Sequence, residues 1–187
     1  SSICAIKDGK SVDTSMGLTP VGGLPMVTRS GDLDPSVVTF IMKKENIKPQ
    51  EMEDILNKKS GLSSISNMAP DFRVIEEESN NGVESAKIAI EQFNYSIASY
   101  IAKYAVAMNG IDYIIFTGGI GENQINIRKG ICEKLEFMGV KLNLDNNNMR
   151  GEEKVISTDD SKIKVYVIPT NEELMIAKET KRLIENK

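Results

Sequence analysis

Two apolar segments, each followed by a helical pattern, constrain the fold of this chain most strongly. The first covers residues 111–116 and leads through FTGGIGEN into a helix with one apolar face. That face carries Ile127, Ile131, Leu135 and Met138. The second segment is KIKVYVIPT, and the helix after it begins with acidic residues and ends with basic ones, as the helix dipole favours. Two strand-then-helix units indicate an α/β domain.

The residues before these units are predicted to form a hairpin and helices. Asp8-Gly9 is a strong turn signal between two β-forming stretches. Asp34 and Pro35 are typical of a helix start, and a second helix is predicted from Pro49. The segment GLSSISNMAPDFR is predicted to be loop, as is LNLDNNNMRGEE. No sequence pattern marks an internal domain boundary.

A long helix is predicted over residues 83–108, where apolar residues recur at spacings of three and four. Its other faces are also rich in Ala, Ser and Tyr. Such a helix is either sandwiched inside the domain or shared with a partner subunit.

Composition narrows the classes of function. The 187 residues contain 23 Lys and Arg against 27 Asp and Glu, with no basic run, which argues against a nucleic-acid-binding surface. No stretch approaches the roughly 18 consecutive apolar residues of a membrane span, so a cytoplasmic location is expected.

Cysteine and histidine counts limit the available chemistry. With no histidine and only Cys4 and Cys132, the usual zinc sites and Ser-His or Cys-His catalysis are excluded. Both cysteines are predicted to be buried, reduced thiols. Asp, Glu, Lys, Arg and a metal ion remain for catalysis.

The stretch FTGGIGEN places three glycines where a strand turns into a helix. No Gly-Lys-Ser/Thr follows, so it is not a P-loop, and Gln124 stands where the dinucleotide fingerprint needs its third glycine. Three interpretations remain: a cradle for phosphate, a platform for a nucleoside, or a tight corner.

Two other stretches carry charged candidates. In TRSGDLDP, Arg29 lies between small residues. Its guanidinium either binds an anion through two N–H groups or pairs with Asp32 or Asp34. In PTNEELMIA, Thr170 and Glu173 fit a capping box, which leaves Glu172 as a helix-dipole partner or a magnesium ligand.

Two loops are less specific. Around Phe72 in MAPDFR, two charged residues could hold a ribose while the ring stacks on a base, or the ring could anchor the loop. In VDTSMGLTP, small hydroxyl residues precede Pro20, as in a pocket lining or an ordinary turn.

Taken in order, DTSMGLTP, GL-x-M-x-TRSGDLDP, DFR, FTGGIGEN and PTNEE resemble the acetate kinase family. The family belongs to the acetate and sugar kinase, Hsp70 and actin superfamily. The resemblance implies a ribonuclease-H-like α/β domain and reversible transfer of a phosphoryl group from ATP to acetate, giving acetyl phosphate and ADP. It also implies a requirement for Mg²⁺ or Mn²⁺.

The resemblance assigns roles to individual residues. Arg29 becomes the catalytic residue, Glu172 the metal ligand, and Pro20 part of the pocket for the acyl methyl group. The nucleotide contacts fall on Asp71, Phe72, Arg73, Gly119, Ile120, Gly121, Glu122 and Asn123.

The chain differs from the family pattern in the segments that family members have before the position of Ser1. Family members have a phosphate-binding HLGNG stretch and a whole amino-terminal domain there. The chain is therefore expected to be the carboxy-terminal nucleotide-binding and dimerisation domain, without its first strand, homodimeric and inactive alone. The alternatives are a propionate or butyrate kinase and a non-catalytic nucleotide-binding and dimerisation module.

Overall fold

The fold is given by a computed structural model, which describes residues 1–185. The chain divides into two compact units. Unit 1 spans Ser1–Ile111, and unit 2 begins at Asp112. None of the helices in residues 1–185 is long and apolar enough to cross a membrane.

Unit 1 contains a hairpin followed by helices. Its elements are β1 (Cys4–Lys7), β2 (Lys10–Thr14), α1 (Pro35–Glu45), α2 (Pro49–Lys58), α3 (Gly61–Ser66), α4 (Phe72–Asn80) and α5 (Glu84–Met108). β1 and β2 pair antiparallel across the Asp8-Gly9 turn. The Asp34 carboxylate accepts a hydrogen bond from the Ser36 N–H at 2.8 Å and caps α1, as the sequence predicts.

The prediction of loop over GLSSISNMAPDFR is wrong, because it contains α3 and the start of α4. No side chain caps α3. Instead, the N–H groups of Leu62 and Ser63 donate to the carbonyls of Met26 and Val27, both at 2.9 Å. A backbone segment from elsewhere in unit 1 thus replaces the side-chain cap that a sequence pattern would reveal.

α5 provides much of the core of unit 1. One face of it is buried and apolar, with Ala86, Ala89, Phe93, Ile97, Ile101 and Tyr104. Phe93 contacts Phe72 of α4 edge-to-face, with ring centroids 5.5 Å apart. The second apolar face that the sequence predicts is exposed in unit 1, with Ile88, Tyr95 and Val106 on the surface.

Unit 2 is built on a three-stranded sheet. Its elements are β3 (Tyr113–Phe116), α6 (Gly118–Asn123), α7 (Ile125–Lys134), a 3₁₀ turn (Glu136–Met138), α8 (Leu144–Asn147), β4 (Lys154–Val155), β5 (Lys164–Val167) and α9 (Glu172–Glu185). The strand order is β3-β5-β4, with β3 parallel to β5 and β4 antiparallel to it. α8 is a single helical turn inside the predicted loop LNLDNNNMRGEE.

The two cysteines lie in different environments. Cys132 is buried on α7, and burial raises the pKa of its thiol to about 12, so it stays protonated at neutral pH. Cys4 is exposed, which corrects the prediction that both thiols are buried. It lies in a two-stranded hairpin whose other side chains are mostly exposed.

A fully buried guanidinium holds the first half of unit 2 together. Arg128 of α7 donates to the carbonyls of Gly121 and Glu122, both at 2.9 Å. It also donates to the side chain of Asn147 at 2.7 Å and to the carbonyls of Asn147 and Met149 at 2.8 Å. Within residues 1–185 no carboxylate pairs with Arg128, so its charge is compensated by neutral acceptors.

Replacing Arg128 should destabilise the fold. The planar guanidinium donates hydrogen bonds to several oxygens that lie in different directions, and the single ammonium group of Arg128→Lys cannot reach all of them. Some buried carbonyls would therefore lose their hydrogen-bond donors. We expect the free energy of unfolding to fall by about 3 kcal/mol or more, as when a buried charged contact is broken. Urea unfolding followed by circular dichroism measures the change. The matched control is Arg150→Lys at an exposed arginine, and equal midpoints for the two variants would contradict the prediction.

Candidate functional site

Arg29 lies in the loop between β2 and α1, and unit 1 fixes the backbone on both sides of it. The Arg29 carbonyl accepts from the Met26 N–H at 3.0 Å, and the Ser30 N–H donates to the Leu56 carbonyl at 3.0 Å. Within residues 1–185, the half-buried Arg29 side chain makes one hydrogen bond, from its terminal nitrogen to the Met26 sulfur at 3.5 Å. The loop therefore presents the guanidinium from a fixed backbone.

Neither of the two acidic residues that the sequence offers as partners, Asp32 and Asp34, pairs with Arg29 in unit 1. Asp32 accepts from the Gly23 N–H at 2.8 Å and from the Tyr100 hydroxyl, and burial together with this hydrogen bond raises the pKa of Tyr100. Asp34 is occupied as the cap of α1. Of the two interpretations of Arg29, the geometry favours a guanidinium available to an anion.

Gly61 explains how the Arg29 loop approaches α3 so closely. At φ +69° its backbone is in the left-handed region, and a Cβ there would lie 2.1 Å from the Met26 carbonyl oxygen and 2.6 Å from that of Arg29. Only glycine lets the loop carbonyls reach the helix N–H groups.

A cavity of about 560 Å³ opens beside Arg29. It is lined by loop residues 26–29, by Ser1 and by polar residues of α2, namely Gln50, Glu53, Asp54, Asn57 and Lys58. Its lining includes neither Pro20 nor Asp71–Arg73. Pro20 is exposed in the loop after β2.

Asp71 and Arg73 are bound to each other at the start of α4. Asp71 caps the helix through the Arg73 N–H at 2.9 Å and accepts two further bonds from the Arg73 guanidinium at 3.1 and 2.7 Å. Hydrogen bonds from Arg73 hold the pKa of Asp71 below its usual value. The carboxylate thus stays ionised and the exposed guanidinium is held in one orientation.

Phe72 is only 8% exposed and packs on Phe93. Of its two interpretations, the structure shows the loop anchor. A nucleotide at this position would meet the Asp71–Arg73 pair and the backbone rather than the face of the ring.

In unit 2, two candidate stretches lie at the same edge of the sheet. FTGGIGEN follows the carboxyl end of β3, and PTNEE follows the carboxyl end of β5. The two strands are adjacent and parallel, and the Ile168 N–H extends their pairing by donating to the Phe116 carbonyl at 2.9 Å. Ligands of open α/β sheets bind beyond the carboxyl ends of the strands.

The glycines of α6 differ in their surroundings. A Cβ on Gly121 would lie 3.1 Å from the backbone of Phe116, so Gly121 allows the close corner between β3 and α6. A Cβ on Gly119 would meet nothing within 4 Å, so that part of the backbone is open to approach. The turn is thus both a corner and an accessible backbone surface.

Glu122 connects the two stretches. Its carboxylate accepts from the Gly118 N–H at 2.8 Å and from the Thr170 N–H and hydroxyl at 2.9 and 3.0 Å. These bonds, that from the Thr170 N–H first, lower the pKa of Glu122, so the side chain is anionic at neutral pH.

The predicted capping box at α9 is not formed. Thr170 binds Glu122, and the Asn171 side chain accepts from the Leu174 N–H at 3.0 Å and caps the helix instead. Glu172 and Glu173 both lie exposed in the first turn of α9. The cap therefore does not distinguish between the two acids.

Magnesium could be held here only with help from other groups. Residues 1–185 contain no cluster of three or more acidic, histidine or cysteine side chains suited to a metal ion. Mg²⁺ commonly binds through one or two carboxylates together with waters and substrate phosphates. An exposed carboxylate such as that of Glu172, at the sheet edge next to the open turn, fits such a partial site.

Arg128 and Thr170 are functional candidates that sequence reasoning missed. Arg128 carries a charge on the face of α7 that also bears Ile131 and Leu135, which is a signal visible in the sequence. Thr170 lies in a recognised stretch, but only the structure shows that its hydroxyl faces Glu122 rather than the helix end.

Comparisons with known proteins agree over nearly the whole chain. The model of the Acetokinase family matches residues 1–178. The chain is 56% identical over 187 residues to the acetate kinase of Carboxydothermus hydrogenoformans, covering all of this chain and 47% of that protein.

Solved structures show the same fold. The Porphyromonas gingivalis acetate kinase superposes with a TM-score of 0.93 at 47% identity, over 98% of this chain and 46% of that one. A propionate kinase from Francisella tularensis gives 0.89 at 44% identity, over 95% and 45% of the two chains. The chain thus spans about half the length of these relatives. It has the α/β fold of these kinases and belongs to the acetokinase family.

Proposed function

We propose that this chain is the carboxy-terminal half of an acetate kinase, which transfers the terminal phosphoryl group of ATP reversibly to acetate. The observation that carries the proposal is Arg29, a guanidinium with no acidic partner in unit 1, beside a cavity, on a backbone fixed by α3. The ribonuclease-H-like fold lacking its first strand is part of this proposal.

The chemistry of phosphoryl transfer suits a residue such as Arg29. In the transition state, negative charge spreads over the equatorial oxygens of the phosphoryl group while the attacking and leaving oxygens lie in line. A planar guanidinium binds two of these oxygens at once and cannot lose its proton near neutral pH. Fixing the backbone around Arg29 beforehand reduces the cost of reorganisation during the reaction.

We assign nucleotide binding to two groups of residues. In unit 2 these are Gly119, Ile120, Gly121, Glu122 and Asn123, whose backbone is open at Gly119. In unit 1 they are Asp71, Phe72 and Arg73, where the paired charges offer oriented polar groups for a ribose and Phe72 anchors them.

We assign Glu172 to the divalent cation, Mg²⁺ or Mn²⁺, and Pro20 to the pocket for the acyl methyl group. When bound with the nucleotide, the cation neutralises charge on the phosphates. A cytoplasmic location fits this reaction because ATP is the phosphoryl donor, and cell fractionation would test it.

We propose that the protein is a homodimer that uses the exposed face of α5. Ile88, Tyr95 and Val106 are 54%, 60% and 83% exposed there, which is unusual for three large apolar side chains on one helix. Sedimentation velocity should show a dimer, and Tyr95→Arg should shift it to monomer. Phe137→Arg, at another exposed aromatic residue, is the control. A protein without substitutions that sediments as a monomer would refute the proposal.

The reaction itself is testable in a two-domain protein, by which we mean this chain joined to an acetokinase amino-terminal half. We expect it to form acetyl phosphate from ATP and acetate, with a higher kcat/KM for acetate than for propionate or butyrate. Arg29→Ala should lower kcat by about 10³-fold, because the transition state loses its guanidinium, while ADP affinity changes by less than about threefold.

Two controls accompany that experiment. The 187-residue chain alone should form no acetyl phosphate, and Arg150→Ala, at an exposed arginine, should retain full turnover. If Arg29→Ala weakened ADP binding and left kcat intact, the catalytic role of Arg29 would be wrong. If the kcat/KM were higher for propionate than for acetate, the protein would instead be assigned as a propionate kinase, the activity named for the Francisella relative.

The metal assignment has its own matched pair. Glu172→Ala in the two-domain protein should raise the Mg²⁺ concentration needed for half-maximal rate by at least about tenfold, since one ligand is lost. Glu173→Ala removes the same charge from the next residue of α9 and should leave that concentration nearly unchanged. The reverse pattern would show that the wrong acid has been chosen.

A further inference from the structure

The Glu122 carboxylate accepts three hydrogen bonds at the sheet edge of unit 2. A single oxygen, Oε1, takes the hydrogen bonds from Gly118 and from both donors of Thr170. Hydrogen bonds to a carboxylate are roughly twice as strong as those between neutral groups. One oxygen of the carboxylate is therefore committed to neighbours within unit 2.

These bonds fix the turn at its beginning. Gly118 is the first residue of α6, and its N–H would otherwise lack a partner within the helix. At the other end of α6, Arg128 holds the carbonyls of Gly121 and Glu122. Hydrogen bonds to Glu122 and from Arg128 thus fix the beginning and the end of α6, while the backbone at Gly119 stays accessible.

The same carboxylate fixes the start of α9. Thr170 precedes Glu172 by two residues, so their Cα atoms lie within about 7.6 Å of each other. Asn171, between them, is fixed by capping α9. The position of the Glu172 backbone therefore follows from the position at which Glu122 holds Thr170.

We propose that Glu122 is a positioning residue, which holds the nucleotide-binding turn and the metal carboxylate Glu172 in one fixed arrangement. Its carboxylate acts through Gly118 and Thr170 and is not itself a ligand of phosphate or metal, so the part of Glu122 that we assign to nucleotide binding is its backbone. The inference rests on the proposed function and deepens it. Its consequence is that nucleotide and cation affinity depend together on a side chain that touches neither.

The geometry also argues against a direct role. Three donors occupy Oε1 of the carboxylate, and its negative charge would repel the phosphates of a nucleotide. Thr170 donates to the Glu122 carboxylate through both its N–H and its hydroxyl, and these two bonds connect the PTNEE stretch to FTGGIGEN.

The test compares Glu122→Gln with Glu122→Ala in the two-domain protein. Glutamine keeps an acceptor oxygen for Gly118 and Thr170 but loses the charge, whereas alanine removes the acceptor. We expect alanine to weaken Mn²⁺ and ADP binding about tenfold each, and glutamine to weaken both clearly less, because the lost hydrogen bonds rather than the lost charge matter.

Binding is measured directly, with free Mn²⁺ followed by electron paramagnetic resonance and ADP by calorimetry, each with and without the other. In the parent protein each ligand should strengthen binding of the other by the same factor, as linkage requires. In Glu122→Ala that factor should fall towards one. Glu173→Gln, which removes a charge elsewhere in the same region, should leave the factor unchanged.

A second variant guards against misfolding. If Glu122→Ala fails to fold by circular dichroism, Thr170→Val removes only the hydroxyl donor, and it should weaken both ligands about threefold. Equal losses for Glu122→Gln and Glu122→Ala would overturn the inference, since charge would then be the essential property. So would a loss confined to one of the two ligands.

Failure of the proposed function is distinguishable from failure of this inference. A parent protein that neither binds ADP nor transfers a phosphoryl group overturns both. An active parent protein whose Glu122→Ala variant binds Mn²⁺ and ADP normally overturns the inference alone.

Discussion

The buried guanidinium of Arg128 is the interaction on which the candidate site of unit 2 depends most. A cation removed from water loses several kcal/mol of solvation, and burial accordingly lowers the pKa of Arg128. Carbonyl dipoles from two chain segments offset this loss. Because the oxygens come from α6 and from the end of α8, compensating the charge requires both segments to be in place. The need to hydrogen-bond the buried guanidinium thus fixes the geometry of the glycine turn at α6.

The Arg29 loop of unit 1 is fixed by a different means with the same result. Its carbonyls accept the N–H groups at the start of α3, so two sets of backbone groups satisfy each other. Gly61 permits the required approach. Backbone groups of α3 hold the loop in unit 1, whereas the side chains of Arg128 and Glu122 hold the turn in unit 2. In both cases, satisfying backbone polar groups fixes the segment that carries the functional groups.

Local patterns predicted the elements that depend on local chemistry. Asp8-Gly9 gives the hairpin, Asp34 with Pro35 gives α1, and the apolar periodicity gives α5. α3 was not predictable because its cap is a distant backbone segment. The helical form of the glycine turn was not predictable either, since glycine has low helix propensity and the turn is stabilised by Arg128 and Glu122.

The candidate site shows the same division. Arg29 could be singled out from its small neighbours, but its lack of an acidic partner required knowledge that Asp32 binds Gly23 and Tyr100. At α9, Thr170 and Asn171 were both plausible caps by residue type. The choice was made by Glu122, which is 48 residues away from Thr170 in sequence.

Placing Glu172 next to the open turn follows from the order of strands and helices rather than from any single residue. Parallel strands joined by a crossover bring their carboxyl ends to one edge, so the residues that follow β3 and β5 meet without a specific attraction between them. Topology brings the two stretches within reach of each other, and Glu122 then sets their separation through individual hydrogen bonds. A change in strand order would separate the residues that we propose for nucleotide and metal binding, whereas a change at Glu122 would leave them at the same edge and alter how they are held.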